Sequence, residues 1–135
     1  MGSQNFDWRA LKHIHETGLR ITDSSVVKSV QSVFDHDWGY VSRAEDFEEK
    51  TPTAADRASR AYLVASPWRK NPAGVGDSQA ELISLIADAT STLQIQLLDY
   101  NPTTYSRPKR FYAPIDNALR DAAVRGVKVQ LLVSH

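Results

Sequence analysis

Residues 114 to 133 read Pro114-Ile115-Asp116-Asn117-Ala118-Leu119-Arg120-Asp121-Ala122-Ala123-Val124-Arg125-Gly126-Val127-Lys128-Val129-Gln130-Leu131-Leu132-Val133, a helix that stops and becomes a strand. Pro114 stands where the first helical turn tolerates a residue without an N–H. Ile115, Ala118, Leu119 and Ala122 then fall on one apolar stripe. Arg125-Gly126 closes the helix, with Gly126 suited to the left-handed position just past its end. Val127 to Val133 is the best strand pattern in the chain. Upstream, Leu93-Gln94-Ile95-Gln96-Leu97 alternates as a strand with at least one buried face. Strand, helix and parallel strand in this order imply a right-handed crossover. The pattern predicts an α/β fold with a mostly parallel sheet flanked by helices. Residues 93–98 and 127–133 are expected as neighbouring strands, with a helix from about Pro114 to Arg125 between them.

Further upstream, Ser78-Gln79-Ala80-Glu81 fits a capping box, followed by a stripe of Leu82, Leu85, Ile86 and Ala89. Ala61 to Ala65 is a short buried strand stopped by Pro67, and residues 69–76, with Pro72, Gly74 and Gly76, read as loop. Periodicity is lost from Gly39 to Ser59, where Arg43 to Lys50 is mostly charged and Thr51-Pro52-Thr53 is a breaker cluster. Residues 7–17 read as a short helix closed by Gly18, and Leu19 to Thr22 as a strand edge. Asp23 or Ser24 caps the next helix, which carries Val26, Val30, Val33 and Phe34 and ends near Trp38-Gly39.

The 135 residues are about one ordinary domain, and 41% apolar with 24% charged residues is a globular balance. Sixteen basic and sixteen acidic residues cancel, so any anion site must be local. The absence of cysteine excludes disulfides, cysteine zinc sites and thiol catalysis. Asp7, Trp8, Arg9 and Lys12 occupy the place where a signal peptide needs an apolar stretch. No run approaches the ~18 apolar residues of a transmembrane segment. These features lead us to expect a soluble chain with no targeting signal, its compartment left open.

Gly2-Ser3-Gln4-Asn5, followed by Asn5-Phe6-Asp7-Trp8-Arg9-Ala10-Leu11, is similar to the end of the first catalytic motif in the phospholipase D superfamily. Tyr100-Asn101-Pro102, then Arg110-Phe111-Tyr112-Ala113-Pro114-Ile115-Asp116 and Ala118 to Leu132, resemble the opening of that family's second half. Both matches are nearest to the branch of endolysosomal exonucleases and their poxviral relatives, although Tyr112 stands where that branch usually has tryptophan. The resemblance implies an incomplete two-half architecture. Residues 1–40 correspond to the end of the first half, 41–60 to a linker and 61–135 to the start of the second, and the fold is expected to continue in a longer parent.

The chemistry so implied needs no metal and no cofactor. One histidine attacks phosphorus to give a phosphohistidine, another protonates the leaving oxygen, and lysines and asparagines hold the phosphate oxygens. The substrate is a phosphodiester of nucleic acid or phospholipid. Each half of such an enzyme carries a His-x-Lys. Here His13, His15 and His36 are followed two places on by His15, Thr17 and Trp38, and His135 is the last residue. The resemblance therefore carries over no catalytic residue, only Ser3 and Asn5 on the phosphate side, and these 135 residues are expected to be inactive by themselves.

Arg107, Lys109 and Arg110 form the one dense basic cluster, interleaved with Tyr105, Phe111 and Tyr112. Following a parallel strand, where α/β folds bind ligands, such a loop can grip a nucleic-acid strand with bases on its rings. The plainer reading makes Phe111 a helix staple and leaves the cations in water. His13 and His15 lie about 200° apart around a helix and cannot share a metal. Asp35-His36-Asp37 reads as a solvated helix tip, and Trp8, Trp38 and Trp68 as packing residues. Two further expectations come from the missing parts of the family pattern: self-association through the apolar end Leu131-Leu132-Val133, or, as the alternative function, a stand-alone non-catalytic α/β interaction module.

Overall fold

A computed structural model of the chain describes residues 6–13, 16–43 and 60–134. The proposed linker lies largely outside them, as do Ser3, Asn5 and His15. The elements are α1 (Trp8–Lys12), α2 (Ser24–Arg43), β1 (Val64–Ala65), β2 (Gly76–Asp77), α3 (Ser78–Asp88), β3 (Thr92–Leu97), α4 (Pro114–Val124) and β4 (Lys128–Val133). The architecture is α/β, with small parallel sheets flanked by helices.

The crossover expected from residues 93–133 is present. β3 and β4 pair in parallel along their whole length, with Leu93 opposite Val129, Ile95 opposite Leu131 and Leu97 opposite Val133. Ile86 of α3 joins Leu119 and Ala122 of α4 and Val127 in the core, and Leu93, Ile95, Tyr100, Ile115, Ala118 and Val129 pack against them. The end of α4 is built as its sequence suggests. Gly126 takes φ 90°. Its amide donates to Ala123 O at 3.0 Å and that of Val127 to Ala122 O at 3.1 Å, satisfying carbonyls that a helix end otherwise leaves unpaired. Arg125 adds a second closure: one guanidinium nitrogen donates to Ile86 O at 3.1 Å and Ala87 O at 3.0 Å, placing a cation at the negative end of α3.

Several local readings shift. Asp77, not Ser78, caps α3, its Oδ1 accepting the Gln79 amide at 3.0 Å. Aspartate caps as well as serine, and Asp77 is already extended at the end of β2. Glu81 instead accepts the Tyr62 hydroxyl at 3.1 Å. The α3 stripe divides: Ile86 is buried, while Leu82 and Leu85 stay 51% and 65% exposed beside Tyr62 and Val64. Within the segment expected to be loop, Gly76–Asp77 pairs in parallel with Val64–Ala65, and Asn71 Nδ2 donates to Ala65 O and Gly76 O, both at 2.9 Å.

In the first segment, α1 covers only Trp8–Lys12 and residues 19–23 form no strand. Asp23 caps α2, its Oδ1 accepting the Ser25 and Val26 amides at 2.9 and 3.1 Å. Those bonds, with that from the Ser25 hydroxyl foremost, hold its carboxyl below the usual range. α2 continues past Trp38-Gly39 to Arg43. One internal glycine costs about 1 kcal/mol, too little to end a twenty-residue helix. Asp35-His36-Asp37 is thus mid-helix rather than a tip. Trp38 stacks on Phe34 and Trp8 meets His13 edge-on, both tryptophans about two-thirds exposed. No described helix is long and apolar enough to cross a membrane.

Substituting Gly126 tests the helix stop directly. A Cβ there meets no atom within 4 Å, so steric crowding contributes nothing. Gly126→Ala is expected to cost about 1–2 kcal/mol through its left-handed backbone alone, and Gly126→Asn less, as read from urea unfolding midpoints.

Candidate functional site

Sixteen residues separate β3 from α4, and the chain uses them to build a hairpin at the carboxyl end of the parallel pair. Thr103 and Phe111 form an antiparallel bridge. Across the neck, the Thr104 amide donates to Arg110 O and the Tyr112 amide to Pro102 O, each at 2.8 Å. The Arg110 amide donates to Thr104 Oγ1 at 3.0 Å, and that oxygen lies 2.6 Å from Ser106 Oγ, which donates on to Pro108 O at 3.1 Å. Threonine and serine thus stand in for strand pairing where the hairpin is too short to continue a ladder.

This hairpin gathers the three basic residues singled out in the sequence. Arg107, Lys109 and Arg110 are exposed on its tip and far leg, and among the described residues none of their side chains is held in a salt bridge. Tyr105 projects fully, with 99% of its surface exposed. Phe111 is 60% exposed and bridged to Thr103, so it is not a helix staple. The Tyr112 hydroxyl donates to Gln79 Oε1, joining the far leg to the start of α3. Ser3 and Asn5 lie outside the described residues. Among the described residues no three histidine, aspartate or glutamate side chains come together as metal ligands.

At the base of the hairpin is a polar cluster that the sequence did not bring to attention. The Tyr100 hydroxyl donates to Asp116 Oδ1 at 2.7 Å, and Arg120 Nε donates to Asp116 Oδ2 at 2.6 Å. The Asp116 side chain is 12% exposed and that of Arg120 is 74% exposed, so the carboxylate is held inside while the guanidinium reaches water. The Arg120 hydrogen bond, then that of Tyr100, holds Asp116 below the ordinary carboxylate value of 3.8. Burial, then the bond to Asp116, pushes the Tyr100 hydroxyl above its ordinary 10.0. The i,i+4 acid–base spacing of Asp116 and Arg120 was legible. Tyr100, sixteen residues earlier, joins them only through the tertiary fold.

Comparison with known proteins gives this arrangement its setting. The chain is 31% identical to the 5'-3' exonuclease PLD3 of Xenopus tropicalis over 152 aligned positions, covering 99% of this chain and 31% of that protein. A probable phospholipase D of Caenorhabditis elegans is 29% identical over 153 positions, covering 100% of this chain and 28% of the relative. The chain belongs to the phospholipase D superfamily. Phospholipase D Z of Dictyostelium discoideum is 32% identical over 154 positions, covering all of this chain and 36% of its own length. Within the superfamily the chain lies close to the branch of the exonuclease. It spans about a third of the length of the curated relatives it matches. No family model matches it.

The Asp116 cluster makes a pH prediction for this superfamily member. A carboxyl depressed by folding stabilises the native state above its unfolded pKa, and that contribution is lost as pH falls through the lower folded value. Asp116→Asn is therefore expected to lower stability near neutrality and to flatten the loss of stability on acidification below about pH 4. Thermal melts across an acid series measure both. An acid limb equally steep in the variant would refute the assignment.

Proposed function

We propose that this chain is the phosphodiester-gripping part of a phospholipase D-type phosphodiesterase that acts on nucleic acid, and that the hairpin of residues 101–112 does the gripping. The carrying observation is three exposed cations beside a fully exposed tyrosine, on a hydrogen-bonded hairpin at the carboxyl end of parallel strands. Cations neutralise phosphates and release counterions, while an aromatic face accepts a base of any sequence. A phospholipid headgroup offers the same phosphate but no base for Tyr105, which favours nucleic acid.

In this reading Ser3 and Asn5 hold the phosphate oxygens from the first half, residues 1–40 end that half, 41–60 join the halves and 61–135 begin the second. Attack by histidine gives a phosphohistidine, which water resolves. No His-x-Lys occurs in the 135 residues, so they supply binding and no nucleophile. A further consequence concerns the end of β4, where consecutive apolar side chains point to both faces of the sheet. Leu131, Leu132 and Val133 are 41%, 64% and 39% exposed, and parallel sheets are ordinarily covered on both faces. A second copy of the chain is expected to seat there, which light scattering over a concentration series detects as a rising mass.

The chain is expected to bind fluorescent single-stranded DNA more tightly than vesicles of anionic phospholipid, and to give no turnover of a chromogenic phosphodiester. Replacing Arg107, Lys109 and Arg110 together with alanine should reduce the slope of log affinity against log salt by about 2, at roughly 0.7 per phosphate contact on a single strand. Tyr105→Ala should weaken binding about tenfold with little change in that slope. Equal binding to vesicles, or an unchanged salt slope in the triple variant, would overturn the nucleic-acid reading.

A further inference from the structure

The two legs of the hairpin leave the fold at different places. The near leg follows Tyr100, three residues past the end of β3, and the far leg runs through Tyr112 and Ala113 into the first turn of α4. A side-chain bond across that base helps to fix the angle at which the tip stands over the sheet, beside the Tyr112–Gln79 bond that ties the far leg to α3. The Tyr100 hydroxyl and Asp116 Oδ1, 2.7 Å apart, make the bond across the base. Asp116 is kept charged and oriented by Arg120 Nε at 2.6 Å, so one carboxylate is shared between a phenol on the near side and a guanidinium on the helix. From Tyr100 the constraint passes directly outward. Asn101 accepts the Thr103 amide at its backbone oxygen and the Thr103 hydroxyl at its side chain, at 2.8 and 2.6 Å, and Thr103 is the residue bridged to Phe111.

We propose that Tyr100 and Asp116 are positioning residues for the nucleic-acid grip: their hydrogen bond closes the base of the hairpin and sets where Arg107, Lys109, Arg110 and Tyr105 stand. The inference rests on the function proposed above. Packing alone does not account for the pair. The Tyr100 ring lies against the core cluster, and a phenylalanine ring packs there equally well, so the hydroxyl serves only the bond. Holding the cations in one register before the strand arrives spares the ordering that binding otherwise costs.

The test uses the whole chain with a fluorescein-labelled oligothymidylate, comparing Tyr100→Phe with the parent. Amide exchange reads the hairpin directly: Thr104 and Tyr112, whose amides cross the neck, should exchange about threefold to tenfold faster, while Val129 and Leu131 in β4 keep their rates. Affinity should fall by a similar factor, and the salt slope should become shallower because fewer cations meet phosphates together. Gly126→Ala supplies the reference for general destabilisation, which lowers the competent fraction and leaves the slope alone. Asp116→Ala, which keeps the tyrosine and removes its acceptor, should reproduce the effect if Tyr100→Phe folds poorly.

Unchanged exchange in both variants would overturn the proposal. So would faster exchange with parental affinity and slope, or weakening with the slope of Gly126→Ala. If the parent chain fails to bind the oligonucleotide, the function proposed above falls, and the grip with it. If the parent binds and loses binding in the triple alanine variant while Tyr100→Phe binds normally, only the positioning role falls.

Discussion

Ala122 has no exposed surface, and it sits near the end of α4 in the same cluster as Ile86 of α3, Leu119 and Val127. A methyl group at that point lets the helix lie close to its neighbours, and a larger side chain there would cost about 1–3 kcal/mol in displaced packing. The close approach has consequences in both directions along the chain. Toward the carboxyl end, the chain must reverse at once to enter β4 beside β3, and Gly126 makes that turn. Toward the amino end, α4 is held as a rigid body, so its first turn arrives at a fixed place beside the end of β3. The hairpin between them inherits its footing from a buried alanine two helical turns away.

The crossover was legible because each local signal agreed with the tertiary arrangement. Pro114 and Gly126 mark the ends of one helix whose apolar stripe faces the sheet, and the flanking strands carry period-two patterns. Where the reading slipped, two residues competed for one role or a neighbour decided the outcome. Asp77 and Ser78 both suit a helix cap, and β2 pre-extended the aspartate. Leu82 and Leu85 share the apolar character of Ile86 but lie on the side of α3 toward Tyr62 and Val64 rather than toward the core cluster. β2 is two residues long, below what any periodicity reveals.

The candidate site divides along the same line. Arg107, Lys109 and Arg110 were visible as a cluster because they are adjacent in sequence. That they ride on a hairpin was not, since its neck consists of one bridge, two crossing amides and a threonine hydroxyl. Tyr100 was beyond reach for another reason. A tyrosine after a strand is ordinarily a packing residue, and its hydroxyl acquires a role only when α4 carries Asp116 back to it. Sequence resemblance pointed to Ser3 and Asn5, which lie outside the described residues.

Zero net charge remains compatible with a polyanion site because the relevant distances are short. Screening at physiological salt has a length of about 8 Å, so acids elsewhere on the surface do little to cancel a cluster at the tip of a hairpin. What matters is whether an acid lies beside the cations. The nearest in sequence are Asp99 and Asp116, at the two ends of the excursion. Asp116 is already engaged by Tyr100 and Arg120, and its charge is balanced within the base of the hairpin. A single carboxylate thereby serves two ends: it fastens the hairpin to the helix, and its pairing with Arg120 keeps its field from opposing the three cations that the hairpin presents.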